Sequence, residues 1–139
     1  MTAAFIASAV FAETKITMQE LPPAVQAAVK ELTKNVTVVG MSTEMEKGQR
    51  VYEIETKVNG LSRDLLLDKT GAVIETEEEV ALDSIPAGAK DAIQKKAAGG
   101  EIKKVELLTR GGVVSYEAEV RKKGKNFEVG VNADGSVHD

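Results

Sequence analysis

Cysteine and tryptophan are both absent from the 139 residues of this chain, and its single histidine, His138, stands next to the C-terminus. Without cysteine there is no disulfide, no thiolate nucleophile and no sulfur ligand for a metal. A lone terminal histidine builds neither a zinc site nor a catalytic triad, because both need partners that orient the ring. Aromatic residues make up only 4% of the chain, which argues against stacking platforms for bases or sugars. The glycine pairs Gly99-Gly100 and Gly111-Gly112 stand in no phosphate-binding Gly-x-Gly-x-x-Gly frame and read as a helix stop and a turn. The net charge is −4, so no strongly basic face is expected and nucleic acid is not an expected partner. The first twelve residues carry no charge, but a membrane helix takes about 20 apolar residues, so no membrane span is expected.

What the chain does have is an ordinary globular balance, 42% hydrophobic and 29% charged, arranged as a repeat. Pro22 aligns with Pro86, Ala28 with Ala92, Gly48 with Gly112, Tyr52-Glu53-x-Glu55 with Tyr116-Glu117-x-Glu119, Gly60 with Gly124, Gly71 with Gly135 and Val73 with Val137, every pair offset by 64 residues without a gap (112 minus 48, for instance). A fixed period marks one supersecondary unit used twice. Residues 13–80 form the expected first repeat and 81–139 the second. Residues 1–12 read as the apolar part of an export signal, with Val10 and Ala12 placed for cleavage before Glu13; the basic start of such a signal is missing. The expected location is periplasmic or secreted.

Within each repeat the apolar spacing predicts one helix and then three or four strands. Thr17-Met-Gln-Glu20 fits a capping box, and Val25, Ala28, Val29 and Leu32 form one helical stripe. The second stripe is Ala89, Ala92 and Ile93, with Lys96 where the first has Leu32, so the second helix is expected to bury less. Strands follow by alternation. Val39, Met41, Thr43 and Met45 share a predicted face. Tyr52, Ile54, Thr56 and Val58 point one way while Glu53, Glu55 and Lys57 point the other; Tyr116, Ala118 and Val120 stand likewise against Glu117, Glu119 and Arg121. Asp68-Lys-Thr-Gly71 and Asn132-Ala-Asp-Gly135 fit tight hairpins. The expected class is therefore α+β: two tandem helix-plus-antiparallel-strand repeats in two layers, with the helices packed on one face of an antiparallel sheet.

These ordered features, Leu21-Pro-Pro-Ala-Val-x-x-Ala-Val and Ile85-Pro-x-x-Ala-x-x-Ala-Ile, each followed by Tyr-Glu-x-Glu and then [Asp/Asn]-x-x-Gly-x-Val, resemble the PepSY-like family. More narrowly they resemble its tandem β-lactamase-inhibitor-like group, over residues 17–139. The resemblance implies an exported bacterial protein without catalytic residues that binds and inhibits or regulates a peptidase or another envelope enzyme. A β-lactamase inhibitor would be expected to present aromatics and disulfide-stapled loops, and this chain has neither cysteine nor tryptophan.

The candidate site residues are Glu53, Glu55, Glu117 and Glu119, expected on the open sheet face as a docking surface for a cationic partner segment. A weak divalent-ion site and a merely solvated strand face are the other readings of the same four carboxylates. Glu77-Glu78-Glu79 reads as a charged edge strand between the repeats, and Arg121-Lys122-Lys123-Gly124-Lys125 as a solvated hairpin tip. No nucleophile–base pair, resident metal or cofactor site is expected, and hence no enzyme. The function expected is a non-catalytic protein-binding module, the alternative a module for a small ligand or a divalent cation.

Overall fold

The structure is a computed structural model and describes residues 13–138, so the export-signal reading of residues 1–12 lies outside the described residues. The described residues form eight strands and two α-helices: β1 (Thr14–Lys15), α1 (Pro23–Leu32), β2 (Thr37–Glu46), β3 (Gln49–Val58), β4 (Leu61–Leu67), β5 (Val73–Glu79), α2 (Ala87–Ala97), β6 (Glu101–Arg110), β7 (Val113–Lys122) and β8 (Lys125–Asn132). This corrects the expected class. The chain is mostly antiparallel strand, 52% against 21% helix, and not a pair of α+β helix-plus-strand repeats. Two causes are visible. The described residues form only two α-helices, of ten and eleven residues, against eight strands, of which β2, β3, β6 and β7 run for ten each. A strand also precedes each helix, β1 before α1 and β5 before α2; the two-residue β1, Thr14-Lys15, is too short and polar to show an apolar period, and β5 runs from Val73 through the Glu77-Glu78-Glu79 expected as an edge strand.

The chain divides into two compact units at Glu77/Glu78. In the N-terminal unit β2 and β3 pair from Thr37↔Lys57 to Glu46↔Gln49, and β3 and β4 from Tyr52↔Leu67 to Val58↔Leu61. The turns between them, Lys47-Gly48 and Asn59-Gly60, hold both residues at positive φ, the twist that two-residue hairpins need. β1 lies antiparallel along β2 through Thr14↔Thr43 and Lys15↔Ser42. Val25 and Val29 of α1, both fully buried, close a core with Leu21, Tyr52, Ile54, Leu65 and Leu67. Gly71 sits at φ +85 against this helix, with the Ala24 carbonyl 2.8 Å from where a Cβ would stand.

In the C-terminal unit β6 and β7 pair from Glu101↔Arg121 to Arg110↔Val113, and β7 and β8 from Ser115↔Asn132 to Lys122↔Lys125. Ala89, Ile93 and Ala97 of α2 pack with Val105, Tyr116, Ala118, Val120, Val129 and Val131. Ala98 in the left-handed conformation and Gly99 at φ +82 end the helix.

Three local expectations change. The Thr17–Glu20 box is made, with Thr17 N and Oγ1 donating to Glu20 Oε2 at 2.6 and 2.8 Å. It closes the 3-10 turn Met18–Glu20, however, and α1 starts after Pro22. Leu32 is 41% exposed, so Lys96 at the equivalent place costs α2 nothing, and α2 buries three residues to the two of α1. Finally, a bulge between Val38 and Gly40 shifts the register of β2. Val38 and Met41 therefore reach the core while Val39 is exposed. The same irregularity falls between Ile102 and Lys104 in β6.

Candidate acidic binding face

Because side chains alternate along a strand, burying Tyr52, Ile54 and Thr56 of β3 turns Glu53 and Glu55 to the opposite face. Cross-strand pairing fixes their neighbours. Glu53 stands between Ser42 of β2 and Leu66 of β4, and Glu55 between Gly40 and Asp64. Gly40 matters here. A Cβ at that position would meet the Glu55 carboxylate at 3.0 Å, so the missing side chain is what lets this carboxylate lie against β2. Glu13, just before β1, joins the group, accepting a hydrogen bond from Ser42 Oγ at 2.5 Å. Carboxylate oxygens of Glu13, Glu53 and Glu55 thereby lie within 4.8 Å of one another.

Three carboxylates this close cannot all ionise at ordinary cost. Burial first, and then the charges of Glu13 and Asp64, a hydrogen bond with Glu13 and the charge of Glu55, push the Glu53 carboxyl up to about 7. Glu44, also on β2, is raised by burial and by Glu46, Glu13 and Glu75. Chemically the group can hold a shared proton, accept a partner's ammonium or guanidinium, or offer oxygens to a divalent cation, whose site takes six to eight of them in the case of calcium.

Glu117 and Glu119 occupy the same positions of β7 in the C-terminal unit, and the burial patterns of β3 and β7 are identical along all ten residues. Their surroundings differ. Glu119 faces Lys104, Glu117 faces Glu106 and Gly130, and the Lys104 ammonium pairs with the buried Glu106 carboxylate. The four glutamates expected to act together thus fall two to each unit, and the close carboxylate cluster around Glu53 recruits Glu13 instead. Sequence reading missed Glu13, Gly40 and Ser42. Only the offset of 64 carried a signal for them: Gly40 stands 64 residues before Lys104, and Ser42 64 before Glu106.

No family model matches the sequence, and no curated protein does. Solved structures do. A protein of Bacteroides eggerthii described as periplasmic has a TM-score of 0.66 at 17% identity, over 84% of this chain and 85% of that one. A DUF2874 family protein of Bacteroides uniformis follows at 0.63 and 16%, over 84% and 85%. A BLIP-like protein of Bacteroides fragilis has 0.56 at 20%, over 84% and 82%. At these identities the likeness is one of fold. It includes a BLIP-like fold.

The other singled-out residues find plain structural places. His138 donates its backbone N–H to the Gly130 carbonyl at 2.9 Å and sets its ring Nε2 2.7 Å from Asn132 Oδ1. In the Asn132–Gly135 turn, Asp134 accepts from Ser136 N and Oγ at 2.9 and 2.6 Å, bonds that lower its pKa. Glu77, Glu78 and Glu79 end β5 and are partly buried. Among the described residues no helix is long and apolar enough to cross a membrane.

Proposed function

We propose that this chain is an exported, non-catalytic binding module of the bacterial envelope. Its acidic β3 face receives a cationic segment of a protein partner and so inhibits or regulates that partner. The observation that carries this reading is the convergence of Glu13, Glu53 and Glu55 within 4.8 Å. Such a group is held together at a cost that an arriving lysine or arginine removes. The envelope location is supported by the fold shared with proteins described as periplasmic, and a protein partner by the fold shared with a BLIP-like protein. A peptidase or another envelope enzyme is the partner we favour, on the resemblance carried by the repeated Tyr-Glu-x-Glu strands. The test is affinity capture from an envelope fraction with residues 13–139 as bait, beside a folded Glu53→Lys/Glu55→Lys bait. One stoichiometric protein held by the first bait alone supports the reading; equal capture by both removes the acidic face from it.

The same oxygen cluster favours one alternative, a divalent cation in place of the partner's cationic group. Under that reading calcium raises the thermal midpoint of the native chain and leaves a Glu13→Gln/Glu53→Gln variant unmoved. A midpoint unmoved by calcium in both proteins removes the alternative.

A further inference from the structure

The end of the C-terminal unit where α2 stops and the β7–β8 hairpin turns is a second surface. It does not rest on the acidic face, whose carboxylate cluster belongs to the other unit. Two contacts assemble it. Lys122 Nζ donates to the Ala98 carbonyl at 2.7 Å, which ties the hairpin to the end of the helix. A Cβ at Gly100 would stand 2.9 Å from Val120 Cγ1 and 3.1 Å from the Arg121 carbonyl, so the chain leaving α2 lies directly on β7. Lys95 and Lys96, in the last turn of α2, thereby share one end of the unit with Arg121, Lys122, Lys123 and Lys125. Among the described residues no acid pairs with these six. Glu101, opposite Arg121, holds Lys103 at 3.2 Å, and Glu128 lies opposite Glu119 on the other face of the sheet.

The fold does not require these charges. Lys122 and Lys125 stand directly opposite each other, and like charges so placed destabilise a hairpin. The equivalent pair of the N-terminal unit is Val58↔Leu61. Lys95, Lys96 and Lys123 answer to Glu31, Leu32 and Asn59, and only Arg121 has a basic counterpart, Lys57. Cations in a last turn complement the helix dipole, which accounts for Lys95 and Lys96 but not for the hairpin residues. Phe127 follows Lys125 on the same face of β8 and is 37% exposed. A strand beside β8 would not cover this end. In the N-terminal unit β5 does follow β4, yet Leu61 and Arg63, in the places of Lys125 and Phe127, are exposed there. Charges farther off than about 10 Å are screened at 0.1 M salt, so this local group, and not the net −4, meets a charged surface. Clustered cations around an exposed aromatic fit a plane of negative head groups over an apolar interior. A soluble polyanion would leave Phe127 in water.

We propose that this end of the C-terminal unit docks on an anionic lipid surface, its cations over the head groups and Phe127 among the upper acyl chains. The probe is vesicles of equal parts phosphatidylglycerol and phosphatidylcholine, floated with the full chain beside vesicles of phosphatidylcholine alone. Binding to the charged vesicles only is expected, and it should fall as salt is raised. Each cation near such a surface is worth about fivefold in partition, so Lys123→Asn/Lys125→Gln is expected to bind about 25-fold more weakly. Because that variant removes the opposed lysine pair, its thermal midpoint should hold or rise. Phe127→Ser is expected to bind more weakly at unchanged charge. On the native chain, amide resonances of residues 95–96 and 121–127 should broaden first as charged vesicles are added, a readout that needs no variant. No flotation with charged vesicles at low salt overturns the proposal, and binding of soluble polyphosphate in its place would assign the patch to a free polyanion. Equal flotation with uncharged vesicles overturns it too, as do unchanged flotation of either variant and broadening confined to other residues.

Discussion

β3 and β7 are the same strand twice, ten residues each with Tyr-Glu-x-Glu at the same place and the same burial at every position. Around them the two units settle their carboxylates in opposite ways. The N-terminal unit removes a side chain at Gly40, brings Glu13 in beside Ser42, and leaves Glu53 protonated to about pH 7. The C-terminal unit places Lys104 at the glycine position and pairs its ammonium with Glu106. The backbone and the core-facing side of a strand therefore do not determine what its other side can bind. The residues of the neighbouring strand matter as well: Gly40 and Ser42 stand beside Glu55 and Glu53, where Lys104 and Glu106 stand beside Glu119 and Glu117.

The largest effect is expected in the two cores and not on the face. Ile54 and Ala118 are equivalent and both fully buried, so each unit is packed around a different volume. Ile54→Ala gives the N-terminal unit its counterpart's residue without its counterpart's packing. A loss of about 3–4 kcal/mol is expected in denaturant unfolding, the transfer and cavity cost of a buried isoleucine. A loss below about 1 kcal/mol would show that the units share one tolerant packing scheme.

Next comes the ion pair that the N-terminal unit lacks. Lys104→Ala leaves Glu106 buried without its cation, and a loss of about 1–3 kcal/mol is expected for a partly exposed pair. The corresponding position in the other unit is already Gly40. Stability measured at neutral pH decides it; an unchanged midpoint would mean that Glu106 finds another partner at no cost.

Glu53→Gln is expected to act in the opposite sense. The folded chain keeps a proton on Glu53 that the unfolded chain, with a carboxyl near 4.5, has released. Between those two pH values each rise in pH removes stability, and above about 7 the loss is complete. A neutral glutamine escapes that loss. Since Glu53 is only half-buried, solvent screening reduces the full linkage, and a gain of about 1–2 kcal/mol at pH 8 is expected. The stability profile from pH 4.5 to 7 should flatten. Unfolding curves of the native chain and the variant across that pH range measure this.

How much of this was legible beforehand follows from what period and alternation can carry. The hairpin turns, the inward Tyr52, Ile54, Tyr116 and Ala118 and the outward glutamates all follow from a two-residue alternation, which the sequence states directly. The strand β1 does not, because Thr14-Lys15 is too short and polar to show a period, and it becomes a strand by pairing, a tertiary effect. Of β5 the run Glu77-Glu78-Glu79 was legible as a charged edge strand, while its start at Val73 was not. The bulge at Val39 was hidden for a related reason. Val38, Val39 and Met41 are all apolar, so alternation alone cannot say where one residue is skipped. Glu13 lies 40 residues from Glu53, and only the pairing of β1 with β2 brings it near.

The smallest effect isolates Gly40. A methyl group there meets the Glu55 carboxylate at 3.0 Å, and that carboxylate is the free end of a flexible side chain, so it can swing out toward solvent. The strain is then relieved, and Gly→Ala also lowers the entropy of the unfolded chain. Gly40→Ala is therefore expected to change stability by no more than about 0.5 kcal/mol in either direction. The charge of Glu55 is the weakest of the causes that raise Glu53, so the Glu53 carboxyl should titrate slightly lower in the variant, toward the ordinary range. Side-chain carboxyl resonances followed through the titration measure this. A Glu53 midpoint that does not move would show that the charge of Glu55 does not act on it, and leave burial, Glu13 and Asp64 as what holds the proton.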